Sequence, residues 1–183
     1  MNIFVLHPDP VKSAIMMCDK HVVKMVTESA QMLSTVHRVI NGVETKRLSN
    51  SGLTKIKHWK LPYPIENVLM KACHVNHPCT QWARESDSNY NWLYEHYRAL
   101  SDEYTYRYNK KHGAFYKNSI GSILKTPPSN IVIGELTPFR TAMKQYPECI
   151  VKDVVESYRN FYKVAKKDFA TWTKREQPNW WIN

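Results

Sequence analysis

The sequence predicts an all-α protein: a compact, mostly helical domain with basic loops and a short extended N-terminus. Several long stretches repeat apolar residues at steps of three and four, the spacing of one helix face. The 43% hydrophobic and 12% aromatic fractions are enough for a sizeable core, which excludes a wholly disordered chain. Only 5 glycines in 183 residues argue against a loop-rich barrel. No phosphate-cradling glycine motif occurs, which argues against nucleotide-loop kinases and dinucleotide-binding oxidoreductases. The length stays below the ~250 residues at which cores tend to split. With no internal repeat, low-complexity tract or sharp linker, residues 1–183 read as one domain.

Met1–Leu6 is a short apolar opening, buried strand or extended chain. Asp9 before Pro10 offers an N-cap and a proline suited to the first helical position, so a short helix over Val11–Met17 follows. Asp19 reads as the cap of a longer helix running to about Asn41, with Gly42 as its stop. Val22, Val26, Ala30, Leu33, Val36 and Ile40 form its core stripe, while His21, Lys24, Glu28, Gln31 and Arg38 lie on another face. Glu44–Tyr63 reads as a basic surface loop, carrying Lys46, Arg47, Lys55, Lys57 and Lys60. Pro64 starts a short helix through Lys71. A longer one spans Ser88–Lys110, with Leu93, Tyr97, Leu100 and Tyr104 in register. Arg107, Lys110, Lys111, Lys117 and Lys125 then follow with no acid between Glu103 and Glu135. Thr137-Pro138 restarts a helix by the logic of Asp9-Pro10. The last helix covers about Val151–Trp172, and the tail Pro178–Ile182 is too aromatic for an inert terminus.

A formal charge of +10 favours an anionic partner: nucleic acid, acidic lipid or acidic protein. No apolar run approaches the ~20 residues of a membrane span, so no membrane is expected as partner. The opening segment lacks the basic start of a secretory signal. Cys18, Cys73, Cys79 and Cys149 are irregularly spaced, which favours a reducing, cytoplasmic location, the host cytoplasm if the chain is phage-encoded.

Chemistry can sit first on the polar face of the Asp19 helix. His21, Lys24, Glu28 and Gln31 share one sector and can project into one site. Glu28 would serve as a general base or stabilise a cation, and His21 and Lys24 would supply donors or charge. The plain alternative is a solvated face with a Lys24–Glu28 pair.

The stretch Cys18-Asp19-Lys20-His21-Val22-Val23 leading to Thr27-Glu28 resembles the helix bearing the catalytic Glu in phage pyrimidine-dimer DNA glycosylases of the endonuclease V type. Asn76-His77-Pro78 is similar to an Asn-His-Pro element in bacterial relatives of those enzymes. The resemblance rests on roughly the first third of the chain. It implies a compact all-helical fold, DNA as partner, Glu28 as the catalytic carboxylate and His21 as a substrate contact. Members of that family attack the sugar C1′ with a free α-amino group on a small residue exposed by Met removal. Here Asn2 follows Met1, and so bulky a second residue leaves Met1 in place. The resemblance therefore implies the Met1 amine as nucleophile, or Lys24 in its stead. No cofactor is implied.

Cys73, His74, His77 and Cys79 crowd potential zinc ligands together. Adjacent Cys73 and His74 rarely both ligate, no second cluster supplies the missing pair, and Cys18 and His21 would complete a site only if the two segments meet, so a polar pocket wall of Asn76 and His77 is expected there rather than a metal. Arg84 offers a phosphate fork; the alternatives are a salt bridge with Asp87 or Ser88 capping. Asn76, His77, Arg84 and Gln31 are thus the candidate substrate contacts. Lys55, Lys57, Lys60, Lys110, Lys111 and Lys117 are the candidate phosphate contacts. Trp180 and Trp181 either meet bases or dock into an apolar groove.

With these features, the resemblance implies an enzyme acting on a damaged or modified pyrimidine in double-stranded DNA. The alternatives are a same-fold enzyme that alters a base or nucleotide without breaking the glycosidic bond, and a non-catalytic nucleic-acid-binding protein.

Overall fold

A computed structural model describes residues 1–49 and 51–181. Asn50 of the predicted basic loop and Ile182 of the tail lie outside the described residues. The helices are α1 (Pro10–Ile15), α2 (Asp19–Asn41), α3 (Ile65–Val68), α4 (Pro78–Ala83), α5 (Asp87–Tyr108), α6 (Gly113–Tyr116), α7 (Ile120–Ile123) and α8 (Val154–Ala165). Strands β1 (Val43–Leu48) and β2 (Lys55–Lys60) pair between α2 and α3. The class is therefore mainly helical with a two-stranded sheet, a correction to all-α.

The long helices α2 and α5 pack on each other and form the frame, with α1 against α5 and α4 against α2. Val22, Val26, Ala30, Leu33 and Val36 of the predicted stripe are buried, and Leu93, Tyr97 and Leu100 meet them from α5. Ile3, Phe4, Val5 and Leu6 are buried as irregular chain, with Phe4 at a positive φ of 54°, and have no strand partner among the described residues. None of the described helices is long and apolar enough to cross a membrane.

Asp9 caps α1 by accepting the Lys12 N–H at 2.8 Å, as its spacing predicts. Asp19 is no cap. It is the first residue of α2, and its carboxylate takes Arg107 at 2.8 Å and the Thr171 and Thr173 hydroxyls at 2.9 Å. α2 does stop at Gly42, where an added Cβ would lie 2.3 Å from the Arg38 carbonyl oxygen. Only glycine fits there.

The predicted basic loop is a hairpin, in register from Val43↔Lys60 to Leu48↔Lys55. Both its faces are largely exposed, so no apolar–polar alternation marks it as strand. α3 ends at Val68 rather than Lys71 because Arg38, buried in α2, donates to the Leu69 carbonyl at 2.8 Å and the Met70 carbonyl at 2.7 Å. The Thr137-Pro138 helix does not form. Thr137 instead donates its N–H to Asn89 Oδ1 at 2.9 Å and its hydroxyl to Glu85, so its capping groups serve α4 and α5. α8 ends at Ala165. Beyond it Thr171 and Thr173 are drawn to Asp19, and Trp172 donates its indole N–H to the Met16 carbonyl at 2.9 Å.

Candidate active site

Glu28 lies on the flank of α2 that meets the chain start. Its side chain is 13% exposed, and several donors reach it. The Asn2 N–H donates to Oε2 at 3.0 Å, the Met1 α-amino nitrogen lies 3.7 Å from the same oxygen, and Lys24 Nζ is 3.1 Å from Oε1. The i,i+4 spacing within α2 supplies Lys24; tertiary folding supplies the amine.

Asn2 is the residue that fixes the amine. Its Oδ1 accepts the Ile3 N–H at 2.8 Å and the Phe4 N–H at 3.2 Å, and its Nδ2 donates to the Ala142 carbonyl at 3.1 Å. The Thr80 hydroxyl donates to Met1 Sδ at 3.4 Å. Sequence reasoning treated Asn2 only as the residue that keeps Met1 in place. Its anchoring role depends on contacts that no spacing encodes.

His77 comes next to this pair. It starts α4 by accepting the Cys79 N–H on Nδ1 at 3.2 Å. Burial lowers its pKa, and the nearby Met1 amine lowers it further, while Glu28 acts in the opposite sense. Asn76 lies beside it, half a turn from α4. Arg84 donates to the Val75 carbonyl, tying the end of α4 to the same segment, and burial and Arg140 push its pKa down. Gln31, half-buried, lies on the next residues of α2.

His21 goes elsewhere. It is buried, stacked on Phe4 with centroids 4.3 Å apart and hydrogen-bonded to the Tyr162 hydroxyl of α8. Burial, then Lys166 and Lys24, push its pKa down to about 3, so it is neutral. Among the described residues it makes no hydrogen bond or ion pair with Glu28. Cys79 is buried and its thiol is pushed up to about 11, mainly by burial. Among the described residues no group of three or more His, Cys, Asp or Glu is placed to hold a metal ion.

The cations lie outside this centre. Lys55, Lys57 and Lys60 are exposed on β2, with Lys57 paired to Glu44 at 2.9 Å. Lys110, Lys111 and Lys117 are exposed between α5 and α7. Trp180 is half-buried against Tyr162 at 5.9 Å, and Trp181 against Trp172 at 5.0 Å, so both rings face the body of the protein.

The arrangement can hold a proton between an amine and a carboxylate, with imidazole and amide side chains alongside. Neither a curated protein nor a solved structure matches the chain. The family model described as pyrimidine dimer DNA glycosylase matches residues 1–116. That span takes in Met1, Glu28, Asn76, His77 and the hairpin, and by this match the chain belongs to the family of pyrimidine dimer DNA glycosylases.

Proposed function

We propose that the protein removes a damaged or modified pyrimidine from double-stranded DNA, with the Met1 amine as nucleophile and Glu28 as the catalytic carboxylate. The observation that carries this is the 3.7 Å approach of the Met1 nitrogen to Glu28 Oε2. To attack, the amine must be neutral, and its proton passes to solvent so that Glu28 keeps its charge. The amine's lone pair forms a bond to C1′ while the bond from C1′ to the base breaks; the base leaves with the electron pair and takes a proton from solvent. The negative charge of Glu28 stabilises the positive charge that develops on the sugar. The C1′–O4′ bond then breaks with its electron pair on the ring oxygen, which takes a proton from the attached nitrogen, and an imine is left between that nitrogen and C1′. Lys24 is the second amine at the same carboxylate and would take this part if Met1 did not. Asn76, His77, Arg84 and Gln31 would position the extruded nucleotide, and the exposed lysines would hold phosphates.

Irradiated and undamaged labelled duplexes test the reading. The protein should cleave the irradiated duplex alone, and Glu28→Gln should lose about 100-fold or more of that activity while still binding, since one electrostatic stabiliser is commonly worth that much. Full activity in Glu28→Gln would remove the assignment. Base modification without cleavage would point to the same-fold modifying enzyme, and salt-sensitive binding alone to a non-catalytic binder.

A further inference from the structure

A cavity of about 650 Å³ opens beside His77. One wall is Asn76, His77 and Gln81 at the start of α4; the other is the irregular strap Thr141–Tyr146, backed by Phe161 of α8. That is within the ~300–1,000 Å³ range of small-molecule sites. Met1 and Glu28 do not line it, but His77 on its wall is close enough to feel the charges of both.

The strap is held in place rather than draped. Asn2 donates to the Ala142 carbonyl at 3.1 Å, Tyr158 donates to the carbonyl of Arg140 just before the strap at 2.9 Å, and the strap's own Met143 is buried. Yet the polar side chains on the cavity are unspent. Those of Asn76, Thr141 and Gln145 make no hydrogen bond among the described residues, and Gln81 has only its Oε1 engaged, by Arg140 at 3.2 Å. Tyr146 lies on the cavity wall and meets Phe161 with centroids 4.9 Å apart and ring planes at 60°, so aromatic rings form part of the lining. Lys144 is exposed on the strap.

Side-chain amides carry a donor and an acceptor together, the complement of the alternating carbonyl and N–H groups on a pyrimidine edge. An aromatic face offers stacking to any base. A cation at the rim suits the phosphate that accompanies the base.

We infer that this cavity is a nucleobase subsite, and that the strap Thr141–Tyr146 selects which base it admits, with Gln145 reading the base edge and Tyr146 stacking on the ring. The strap lies outside residues 1–116, so this selectivity belongs to the part of the chain the family match does not reach. The inference rests on the reading of the protein as an enzyme that extrudes a pyrimidine from DNA.

Binding separates the inference from that reading. Fluorescence anisotropy on the full chain, carrying Glu28→Gln to prevent turnover, gives the preference for an irradiated over an undamaged duplex. Gln145→Ala and Tyr146→Ala should each shrink that preference by about tenfold, within the range of base stacking and edge contacts. Affinity for the undamaged duplex should stay unchanged, and Tyr146→Phe should keep the preference. Gln145 is exposed, so its variant reports even if Tyr146→Ala fails to fold. An unchanged preference, an equal loss on both duplexes, or no preference in the parent protein would overturn the subsite. Failure of the glycosylase reading appears separately, as Glu28→Gln retaining cleavage.

Discussion

Glu28 gathers the Met1 amine, the Asn2 N–H and the Lys24 ammonium on one carboxylate. In Glu28→Gln an amide oxygen can still accept from Asn2, so the fold should lose only about 1 kcal/mol, the worth of weakened charged hydrogen bonds. Urea melts of the two proteins check this; a loss of several kcal/mol would make Glu28 a structural keystone. Arg38 is the opposite case. Its periodicity placed it on the polar face with Glu28, but it is buried, donating to Glu66 at 2.7 Å and to the carbonyls of Trp59, Leu69 and Met70. Arg38→Ala strands those acceptors and should cost about 3–5 kcal/mol, as removal of one member of a buried pair does. A melt within about 1 kcal/mol of wild type would contradict it. Position along a helix was legible for both residues. Their depth was not, because it depends on chain far away in sequence: Asn2 for Glu28, Glu66 and Leu69 for Arg38.

Among the elements, α2 was legible to its last residue, since a long apolar stripe and a glycine leave little choice. The hairpin was not, because its strands bury neither face and its lysines fall on both. Register places Lys46 directly opposite Lys57, with Lys55 diagonal to Lys46 on the same face. Glu44 pairs with Lys57 at 2.9 Å and offsets one of these charges, and the rest stay unfavourable unless a further anion covers them. If DNA is that anion, changing Lys55, Lys57 and Lys60 together to Ala should lower the log–log salt slope of binding by up to about 2.7, at roughly 0.9 per phosphate contact. Anisotropy titrations across salt concentrations measure it, and an unchanged slope would take the hairpin off the DNA surface. The end of α8 was overestimated for a related reason. Phe169 and Trp172 keep helical spacing in sequence, but the Asp19 carboxylate claims Thr171 and Thr173 and turns the chain.

The whole molecule carries an acid sensitivity in its buried imidazoles. Burial is the main cause that pushes His37 and His96 down to about 4, as it pushes His21 to about 3. His96 donates from Nδ1 to the Pro10 carbonyl at 2.9 Å, and its buried Nε2 has no hydrogen-bond partner among the described residues. Unfolded, each ring would titrate near its ordinary value of about 6.5. The unfolded state therefore binds more protons below that pH, so stability is full above it and falls as pH drops toward 4. At pH 5 each ring should cost roughly 2 kcal/mol. Thermal melts from pH 7.5 to 5 should show a steep fall starting near 6.5, reduced in His37→Gln; a flat profile would contradict it.

The central claim is that the amine of Met1 beside Glu28 attacks the sugar. Borohydride reduction of the protein on a duplex with an abasic site, followed by mass mapping of the trapped peptide, tests it most directly. The expected result is an adduct on the peptide that begins at Met1, abolished when that amine is acetylated. Strand cleavage with no adduct, or an adduct at Lys24 that survives acetylation of Met1, would contradict it.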